Sequence, residues 1–212
     1  PALVEGWNDL GSFRVYVEDG ERVKGQIKEI DGKLYGFDYT GKLYVNASFW
    51  MNNPKENRYA NHFAGSDGVL LTNTWNGDQW NRYYYGENGA ALSGLQTIDG
   101  KQYYLNDWLY TDRFFTLDGD TYYADAEGVV TKVNGKDGWN ELDGKRFYME
   151  DGSVISYQIK EIDGVRYFFD SSGYLYTGGI FWYNVSGSGA YYFANSDGSV
   201  AANQWASSGN SR

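Results

Sequence analysis

The stretch GQIKEIDGKLYGFDYTGKLY at residues 25–44 returns in similar form 132 positions later, as YQIKEIDGVRYFFDSSGYLY at residues 157–176. Each copy places an Asp-Gly pair, Asp31-Gly32 or Asp163-Gly164, between two short runs rich in apolar and aromatic residues. Asp-Gly tolerates the positive φ angles of a tight hairpin turn. Both copies therefore predict a β-hairpin.

The repetition extends well beyond this stretch. Residues 6–50 align with 138–182 without a gap, and 24 of the 45 aligned positions are identical. After a shift of two residues the similarity resumes and continues to a shared tryptophan. The chain therefore contains an internal duplication of residues 6–75 with 138–205.

A shorter period lies inside the duplicated block. Its unit is an aromatic strand, a polar turn that ends in glycine, and a second short strand. The turn glycines are Gly20, Gly41, Gly68, Gly89, Gly128, Gly152, Gly173 and Gly198. A degenerate unit without this glycine lies at 101–110, in KQYYLNDWLY. The spacing gives about nine units of roughly 21 residues, which is typical of a solenoid.

The strands of one unit explain why units must stack. In an extended strand, Tyr35 and Phe37 project from one face and Gly36 from the other. An isolated two-stranded hairpin is marginally stable in water, so its aromatic face must pack on the next hairpin. We therefore predict an all-β fold, a β-solenoid of about nine stacked hairpins, forming a single repeat-array binding domain over residues 1–212.

Composition narrows the possible functions. The chain has 21 Tyr, 11 Phe, 8 Trp and 28 Gly, and its net charge is −10. Nucleic acids and anionic membranes bind clustered Lys and Arg, so neither is an expected partner. The chain has no cysteine and no run of apolar residues long enough to insert into a membrane. We predict no cofactor and no metal site, because the acidic clusters match no EF-hand or calcium repeat.

Two stretches carry a family resemblance, KEIDGKLYGFDYTGKL at 28–43 and GLQTIDGKQYYLN at 94–106. They resemble the cell-wall-binding or glucan-binding repeats of Gram-positive surface proteins, which include choline-binding proteins, glucansucrase glucan-binding domains and clostridial toxin receptor-binding repeats. The resemblance covers almost the whole chain. It implies a secreted protein at the bacterial cell surface, with ligand pockets between consecutive hairpins.

The resemblance leaves the ligand open. Choline pockets of this family resemble an aromatic cage with one Trp from a Gly-Trp pair and another that opens a Trp-Tyr-Tyr run. Here Gly-Trp occurs only at Gly6-Trp7 and Gly138-Trp139. The aromatic runs open with Leu34, Arg82, Thr121, Arg146, Arg166 or Tyr191, never with Trp. This favours a sugar ligand, with choline-bearing teichoic acid as the alternative and Trp7 and Trp139 as its best positions.

A sugar pocket is expected where polar groups lie beside an aromatic ring. Gln26 and Lys28 project from one face of a strand, and we expect both to point away from the aromatic core. By resemblance to glucan-binding domains, the candidate ligand-binding residues are Gln26, Lys28, Tyr35 and Tyr44, and in the second copy Gln158, Lys160, Tyr167 and Tyr176. The alternative is that Gln and Lys only solvate an outer strand while the tyrosines pack the core.

Tryptophans form a second candidate set, since indole rings are good platforms for sugars. Trp50 and Trp182 each follow a phenylalanine, and Trp75, Trp80 and Trp205 lie near the ends of other units. The alternative is that each fills the thin core of the solenoid.

Catalysis has little support in the sequence. His62 is the single histidine, and a strand histidine that is hydrogen-bonded or exposed is the simpler interpretation. The carboxylates Glu29 and Asp31 adjoin a turn, where Asp commonly caps the backbone. We therefore predict a non-catalytic carbohydrate-binding module that attaches a parent protein to a cell-wall or glucan-type polysaccharide. A structural spacer or protein-interaction scaffold without a sugar site is the alternative from another class.

Overall fold

The computed structural model describes residues 2–78, 81–106, 108–185 and 187–202. These residues form 22 β-strands and no helix. In the first half the strands are β1 (Gly6–Asp9), β2 (Arg14–Glu18), β3 (Glu21–Arg22), β4 (Gln26–Ile30), β5 (Lys33–Phe37), β6 (Ala47–Asn53), β7 (Arg58–Ala64), β8 (Thr74–Gly77), β9 (Arg82–Tyr85), β10 (Gly94–Ile98) and β11 (Lys101–Asn106). They continue as β12 (Trp108–Leu109), β13 (Arg113–Leu117), β14 (Asp120–Ala124), β15 (Val130–Lys132), β16 (Gly138–Leu142), β17 (Lys145–Glu150), β18 (Ser153–Val154), β19 (Gln158–Ile162), β20 (Val165–Phe169), β21 (Gly179–Val185) and β22 (Ser188–Ala194).

The strands form hairpins throughout the described residues. Five sheets have two strands each, β4-β5, β6-β7, β8-β9, β19-β20 and β21-β22. Four have three consecutive strands, β1-β2-β3, β10-β11-β12, β13-β14-β15 and β16-β17-β18. The predicted all-β fold of hairpin repeats is confirmed, and the degenerate unit at 101–110 contributes β11 and β12.

The quoted stretch folds as its Asp-Gly pair predicts. Asp31 and Gly32 have φ of 49° and 74°, so both central residues of the β4-β5 turn are left-handed. The second copy repeats this turn at Asp163 and Gly164, with φ of 51° and 78°. The registers also agree, with Ile27 opposite Gly36 in β4-β5 and Ile159 opposite Phe168 in β19-β20.

Backbone hydrogen bonds join five of the described hairpins to the segment that follows the next hairpin. The Leu43 amide, after β5, donates to the Arg14 carbonyl on β2 at 2.9 Å, and the Leu70 amide donates to Leu34 on β5 at 2.8 Å. The same ladder continues within the chain as Ala91 to Asn61, Leu175 to Arg146, and Val200 to Arg166. Successive repeats therefore interlock through the main chain as well as through side chains, which is how hairpins stack into a solenoid.

Two aromatic clusters lie on opposite faces of β5. One contains Phe37 with Trp7 and Tyr35 packed against it, and the other contains Leu34, Phe49 and Ile27 with Tyr44 packed on its surface. In the second copy, Phe169 lies in one cluster with Trp139 and Tyr167, while Phe168 and Phe181 lie in the other. The strands β5 and β20 thus each contribute side chains to two neighbouring hydrophobic clusters.

The chain divides into two compact units. The first comprises Pro1–Gln96 with Leu105–Leu109, and the second Thr97–Tyr104 with Tyr110–Arg212. Each unit contains one copy of the β4-β5 type of hairpin. The assignment of residues 1–212 to a single repeat-array domain stays a prediction.

No helix in the described part of the chain is long and apolar enough to cross a membrane.

Candidate functional site

The Gln26 and Lys28 side chains lie on one face of β4, together with their cross-strand partners. The register places Gln26 opposite Phe37 and Lys28 opposite Tyr35. Gln26 is exposed, while Lys28 and Tyr35 are half-buried. We expected the Gln and Lys side chains to point away from the aromatic core. This is wrong for the face that they share, which also carries the wholly buried Phe37, although Gln26 itself is exposed.

Lys28 and Tyr35 both have partners within the protein. The Lys28 ammonium lies 2.7 Å from a carboxylate oxygen of Glu18. The Tyr35 ring lies edge-on to the Trp7 indole, with 4.9 Å between ring centroids. The structure therefore brings Gln26, Lys28 and Tyr35 together, with the cation neutralised and the tyrosine packed as a core residue.

Tyr44 lies apart from this group. Its amide bonds to the Gly36 carbonyl, and its ring stacks on Phe49 with 4.0 Å between centroids and a 6° interplanar angle. Burial raises the pKa of the Tyr44 phenol. Tyr35 and Tyr44 thus lie on opposite faces of the same hairpin, and Tyr44 does not share a face with Gln26, Lys28 and Tyr35.

The second copy repeats this arrangement. Gln158 is opposite Phe169 and Lys160 opposite Tyr167, and the Lys160 ammonium contacts the Glu150 carboxylate. Tyr167 lies edge-on to Trp139 at 5.0 Å. Tyr176 packs in the other cluster, and its hydroxyl donates to the Ile180 carbonyl at 3.1 Å.

Trp50 faces solvent because of strict alternation along β6. Phe49, Met51 and Asn53 are buried, whereas Ser48, Trp50 and Asn52 lie on the outer face. The Trp50 side chain is 48% exposed. A strand with two apolar side chains and one amide inside must present its intervening indole outside, so Trp50 is not a core filler.

A second exposed ring extends the Trp50 surface. Tyr59 on β7 is 65% exposed and lies diagonally opposite, with 5.9 Å between the two ring centroids and a 23° interplanar angle. We call this pair the first platform. Beside it lies a cavity of about 150 Å³ lined by Trp50, Arg58, Tyr59, Ala60, Asn61, Ala91, Leu92 and Ser93.

Hydrogen bonds hold the polar wall of this cavity. The Arg58 guanidinium pairs with Glu56 at 2.6 Å and donates through Nη2 to the Ala91 carbonyl at 2.8 Å. The Asn61 Oδ1 accepts from the Tyr85 hydroxyl at 2.9 Å, and burial raises the pKa of Tyr85 to about 12. Fixed polar groups beside a flat aromatic surface suit a ligand with several hydroxyl groups.

His62 lies beneath this surface and is wholly buried. Its Nε2 is 3.1 Å from the Asn53 Nδ2, which also donates to the Asn88 carbonyl at 2.8 Å. Burial lowers the pKa of His62 to about 4. The imidazole is therefore neutral at pH 7, shielded from solvent, and takes a structural part in the hairpin.

The equivalent hairpin of the second copy has its own exposed aromatic pair. Trp182 on β21 is 50% exposed and Tyr191 on β22 is 74% exposed. Their rings meet edge-on, with 4.8 Å between centroids and a 71° angle. The Trp182 indole also lies across Gly189, where an added Cβ would collide with the ring. We call Trp182 and Tyr191 the second platform.

Sequence reasoning identified the two tryptophans but missed Tyr59, Arg58, Asn61 and Tyr191. The alternation Ser-Phe-Trp-Met-Asn-Asn at 48–53 was the available signal for the outward side of β6. Trp75 is half-buried. Trp80 and Trp205 lie outside the described residues.

The carboxylates Glu29 and Asp31 both have structural roles. Glu29 forms an ion pair with Lys55 at 2.7 Å, and Asp31 is a turn residue with positive φ. Within 2–78, 81–106, 108–185 and 187–202, no group of three His, Cys, Asp or Glu side chains could hold a metal ion.

Comparison with known proteins agrees with the repeats. The family described as a cell wall binding repeat matches residues 93–108. Glucosyltransferase-S of Streptococcus mutans is 29% identical over 197 residues, covering 91% of this chain and 13% of its own length. Glucosyltransferase-I of Streptococcus downei is 28% identical over 185 residues, covering 81% of this chain and 11% of its own length. The chain therefore spans only a small part of the glucosyltransferases it matches.

A solved structure is also similar. The choline-binding domain of CbpL from Streptococcus pneumoniae has a TM-score of 0.48 and 21% identity, with coverage of 96% of this chain and all of that one. The resemblance to cell-wall-binding and glucan-binding repeats is confirmed by the family match and by the glucosyltransferase relatives.

Proposed function

We propose that this chain is a non-catalytic module that binds a glucan-type or cell-wall polysaccharide and attaches a parent protein to it. The observation that carries the proposal is the exposed Trp-Tyr platform, present on the equivalent hairpins β6-β7 and β21-β22. Large exposed aromatic pairs are uncommon on a soluble surface without a partner. A flat pair of rings matches the apolar face of a pyranose, and the neighbouring polar groups match its hydroxyls.

The glucan class is favoured by the relatives. Two streptococcal glucosyltransferases match most of this chain while the chain covers 13% and 11% of them. A repeated segment that forms a small part of an enzyme acting on glucosyl units suits the holding of a glucose polymer. We infer that the parent protein acts outside the cell or on its surface, where a glucan or cell-wall polysaccharide is accessible.

Two platforms on one chain suit a polymer better than a short sugar. Each weak site raises the effective concentration of the polymer at the other, so the combined affinity exceeds that of either. We expect the affinity for a long glucan to exceed the affinity for its trisaccharide by far more than a factor of two.

The sequence-predicted groups remain a second proposed set of contacts. Gln26 with Lys28, and Gln158 with Lys160, lie on the hairpins that precede the platform hairpins, where Gln26 is exposed and the other three are half-buried. Since Lys28 is paired with Glu18 and Lys160 with Glu150, a sugar hydroxyl would share each ammonium with a carboxylate. Replacing all four residues by Ala should weaken binding about tenfold or more if they contact the ligand.

The platform test is affinity electrophoresis through gels that contain dextran, another soluble glucan, or no polysaccharide. Trp50→Ala and Trp182→Ala should each reduce the retardation, and the double variant should lose about tenfold or more in affinity. Tyr39→Ala is the matched control, because Tyr39 is 83% exposed but belongs to neither platform. Melting temperatures should stay within a few degrees, since both indoles are outside the core.

Four results would overturn or redirect the proposal. A double variant that binds like the parent would remove the platforms from the site. Binding to choline-bearing cell wall but to no glucan would favour the anchoring of teichoic acid. Retention by no polysaccharide at all would favour a spacer or protein-interaction scaffold. Release or transfer of glucosyl units by the isolated chain would contradict the non-catalytic assignment.

A further inference from the structure

Three hairpins share an aromatic arrangement that lies away from both platforms. A tryptophan on the first strand pairs directly with a tyrosine on the second, and an arginine precedes that tyrosine by two positions. The sets are Trp7, Tyr16 and Arg14; Trp75, Tyr84 and Arg82; and Trp139, Tyr148 and Arg146. Residues two apart on a strand share a face, so the arginine lies diagonally opposite the tryptophan.

In all three sets the guanidinium lies over the indole ring. The distance from the Arg Cζ to the Trp ring centroid is 4.5 Å for Arg14, 4.6 Å for Arg82 and 3.9 Å for Arg146. The paired tyrosine meets the indole edge-on each time, at 5.1, 5.1 and 5.4 Å between centroids. The same cation on the same aromatic face recurs in both units of the chain.

Trp139 is surrounded by three aromatic rings and a guanidinium group. Tyr148 and Tyr167 meet its ring edge-on, Phe169 lies 5.8 Å away, and Arg146 covers its face. Several rings around one cation form the kind of site that recognises quaternary ammonium groups. Here the cation belongs to the protein, and it occupies the position that an external cation would take.

Trp7 has the same surroundings with one addition. Tyr35 and Phe37 lie 4.9 and 6.0 Å from its ring. Arg14 is also held by Asp9, with 2.7 Å between Nε and the carboxylate oxygen. The Arg14 guanidinium is thus held at the Trp7 ring by a carboxylate as well as by the indole face.

We propose that Arg14, Arg82 and Arg146 determine specificity by acting as internal ligands of three aromatic sites, closing them to quaternary ammonium groups. Removing the arginine opens the site, and the Trp139 site gains the most because its guanidinium lies closest to the indole ring. This inference does not depend on the platforms or on glycan binding.

The test follows the indole N–H signals of the full chain by NMR during titration with tetramethylammonium chloride, against sodium chloride at equal ionic strength. The unmodified protein should show no specific shift at Trp139. Arg146→Ala should show a saturable shift at Trp139, at least tenfold tighter than any response of the parent. Arg146→Lys is the matched variant, because its ammonium keeps a cation over the ring, and it should stay closed.

Internal controls make each outcome decisive. The Trp50 and Trp182 indoles should not respond in any variant, and their unchanged positions report that the variant is folded. A saturable shift at Trp139 in the unmodified protein would overturn the proposal. So would a folded Arg146→Ala that fails to respond. If that variant is unfolded, Arg14→Ala makes the same test at Trp7, where an absent response equally overturns the proposal.

Discussion

The equivalent hairpins β6-β7 and β21-β22 differ in the ring that packs on their inward phenylalanine. In the first copy, Gly36 leaves room for the Phe49 ring, which stacks on Tyr44 with 4.0 Å between centroids. In the second copy the residue in the place of Gly36 is Phe168, and Phe181 stacks on it, also at 4.0 Å. Tyr176, the counterpart of Tyr44, then meets Phe181 edge-on at 5.5 Å.

This exchange shows what the duplication has preserved. In each copy the inward phenylalanine, Phe49 on β6 or Phe181 on β21, has a nearly parallel ring at 4.0 Å, and that ring comes from either of two positions. The two copies therefore differ in sequence at these positions but keep a ring in the same space beside the phenylalanine. Cores are packed to near-crystalline density, so a ring lost at one position must be replaced at a neighbouring one.

The largest effect should come from removing the ring that the second copy added. Phe168→Ala leaves Phe181 without its stacked partner in a cluster where Phe168 is 4% exposed, and should cost about 3–5 kcal/mol of unfolding free energy. In the first copy, Gly36→Ala drives a Cβ into the Phe49 ring and should cost about 1–3 kcal/mol.

Urea denaturation followed by hydrogen exchange in each unit measures both values. Phe168→Tyr is the control, since it keeps a ring of similar size. A Gly36→Ala variant as stable as the parent would show that the Phe49 ring can move aside. Gly36 would then not be required for the packing of the first copy.

The second largest difference between the hairpins β6-β7 and β21-β22 should be in their stability at acid pH. His62, stacked on Phe49, has Tyr192 as its counterpart on Phe181. Burial lowers the pKa of His62 to about 4, whereas an unfolded histidine titrates near 6.5. The unfolded chain therefore binds the extra proton first. The stabilisation is complete above pH 6.5, falls as the pH drops towards 4, and amounts to at most about 3 kcal/mol.

The single histidine makes this measurement clean. Its imidazole proton shifts should titrate near pH 4, and amides of β6-β7 should exchange faster at pH 4.5 than at pH 7 after correction for intrinsic rates. The amides of β21-β22 are the internal control. A His62 that titrates near 6.5 would mean that its ring reaches solvent and that the two hairpins do not differ in this respect.

These same residues show which parts of the fold could be predicted from the sequence. The Asp-Gly turns, the 132-residue offset and the alternation of Tyr35 and Phe37 predicted hairpins that stack, because turn chemistry and strand parity are local. The ion pair of Lys28 with Glu18 joins two hairpins, and a local pattern does not determine it. The duplication repeats it as Lys160 with Glu150, yet repeated residues alone do not reveal which of them touch.

The candidate site was predicted only in part for a related reason. Trp50 and Trp182 were recognised, but the partner of each depends on cross-strand register and on a two-residue shift between the copies. That shift places Gly189 where the first copy has Tyr59, and Tyr191 where it has Asn61. The tyrosines beside the two tryptophans, Tyr59 on β7 and Tyr191 on β22, therefore occupy different positions of equivalent strands.

The two platforms should consequently differ in ligand dependence. Tyr59 lies nearly parallel to Trp50 and extends its flat surface, so Tyr59→Ala should lower the glucan affinity of the first platform several-fold. Tyr191 meets Trp182 edge-on, so Tyr191→Ala should have a smaller effect on the second. Each substitution is measured by calorimetry with a glucan oligosaccharide in a chain whose other platform carries Trp→Ala. Equal losses would mean that ring orientation does not matter.

The smallest predicted effect concerns a cation–π contact that the duplication has reversed. Lys42 lies over Phe13 at 4.6 Å in the first copy, whereas Lys145 lies over Tyr174 at 4.9 Å in the second. The ring and the cation have exchanged positions, because residues 13 and 42 correspond to 145 and 174. Reciprocal exchange is expected if the contact itself stabilises the fold, and each contact should contribute about 0.5–1 kcal/mol.

The first copy allows the exchange to be repeated, since Lys42 is exposed and Phe13 is half-buried, whereas Tyr174 is buried against Phe114. Phe13→Lys alone places two ammonium groups together and should destabilise the chain. Adding Lys42→Tyr should recover most of the loss by restoring a ring beneath a cation. Urea denaturation of the parent, both single variants and the double variant gives the coupling energy directly. Additive effects in this cycle would mean that the exchange is coincidental and that the two copies diverged here without constraint.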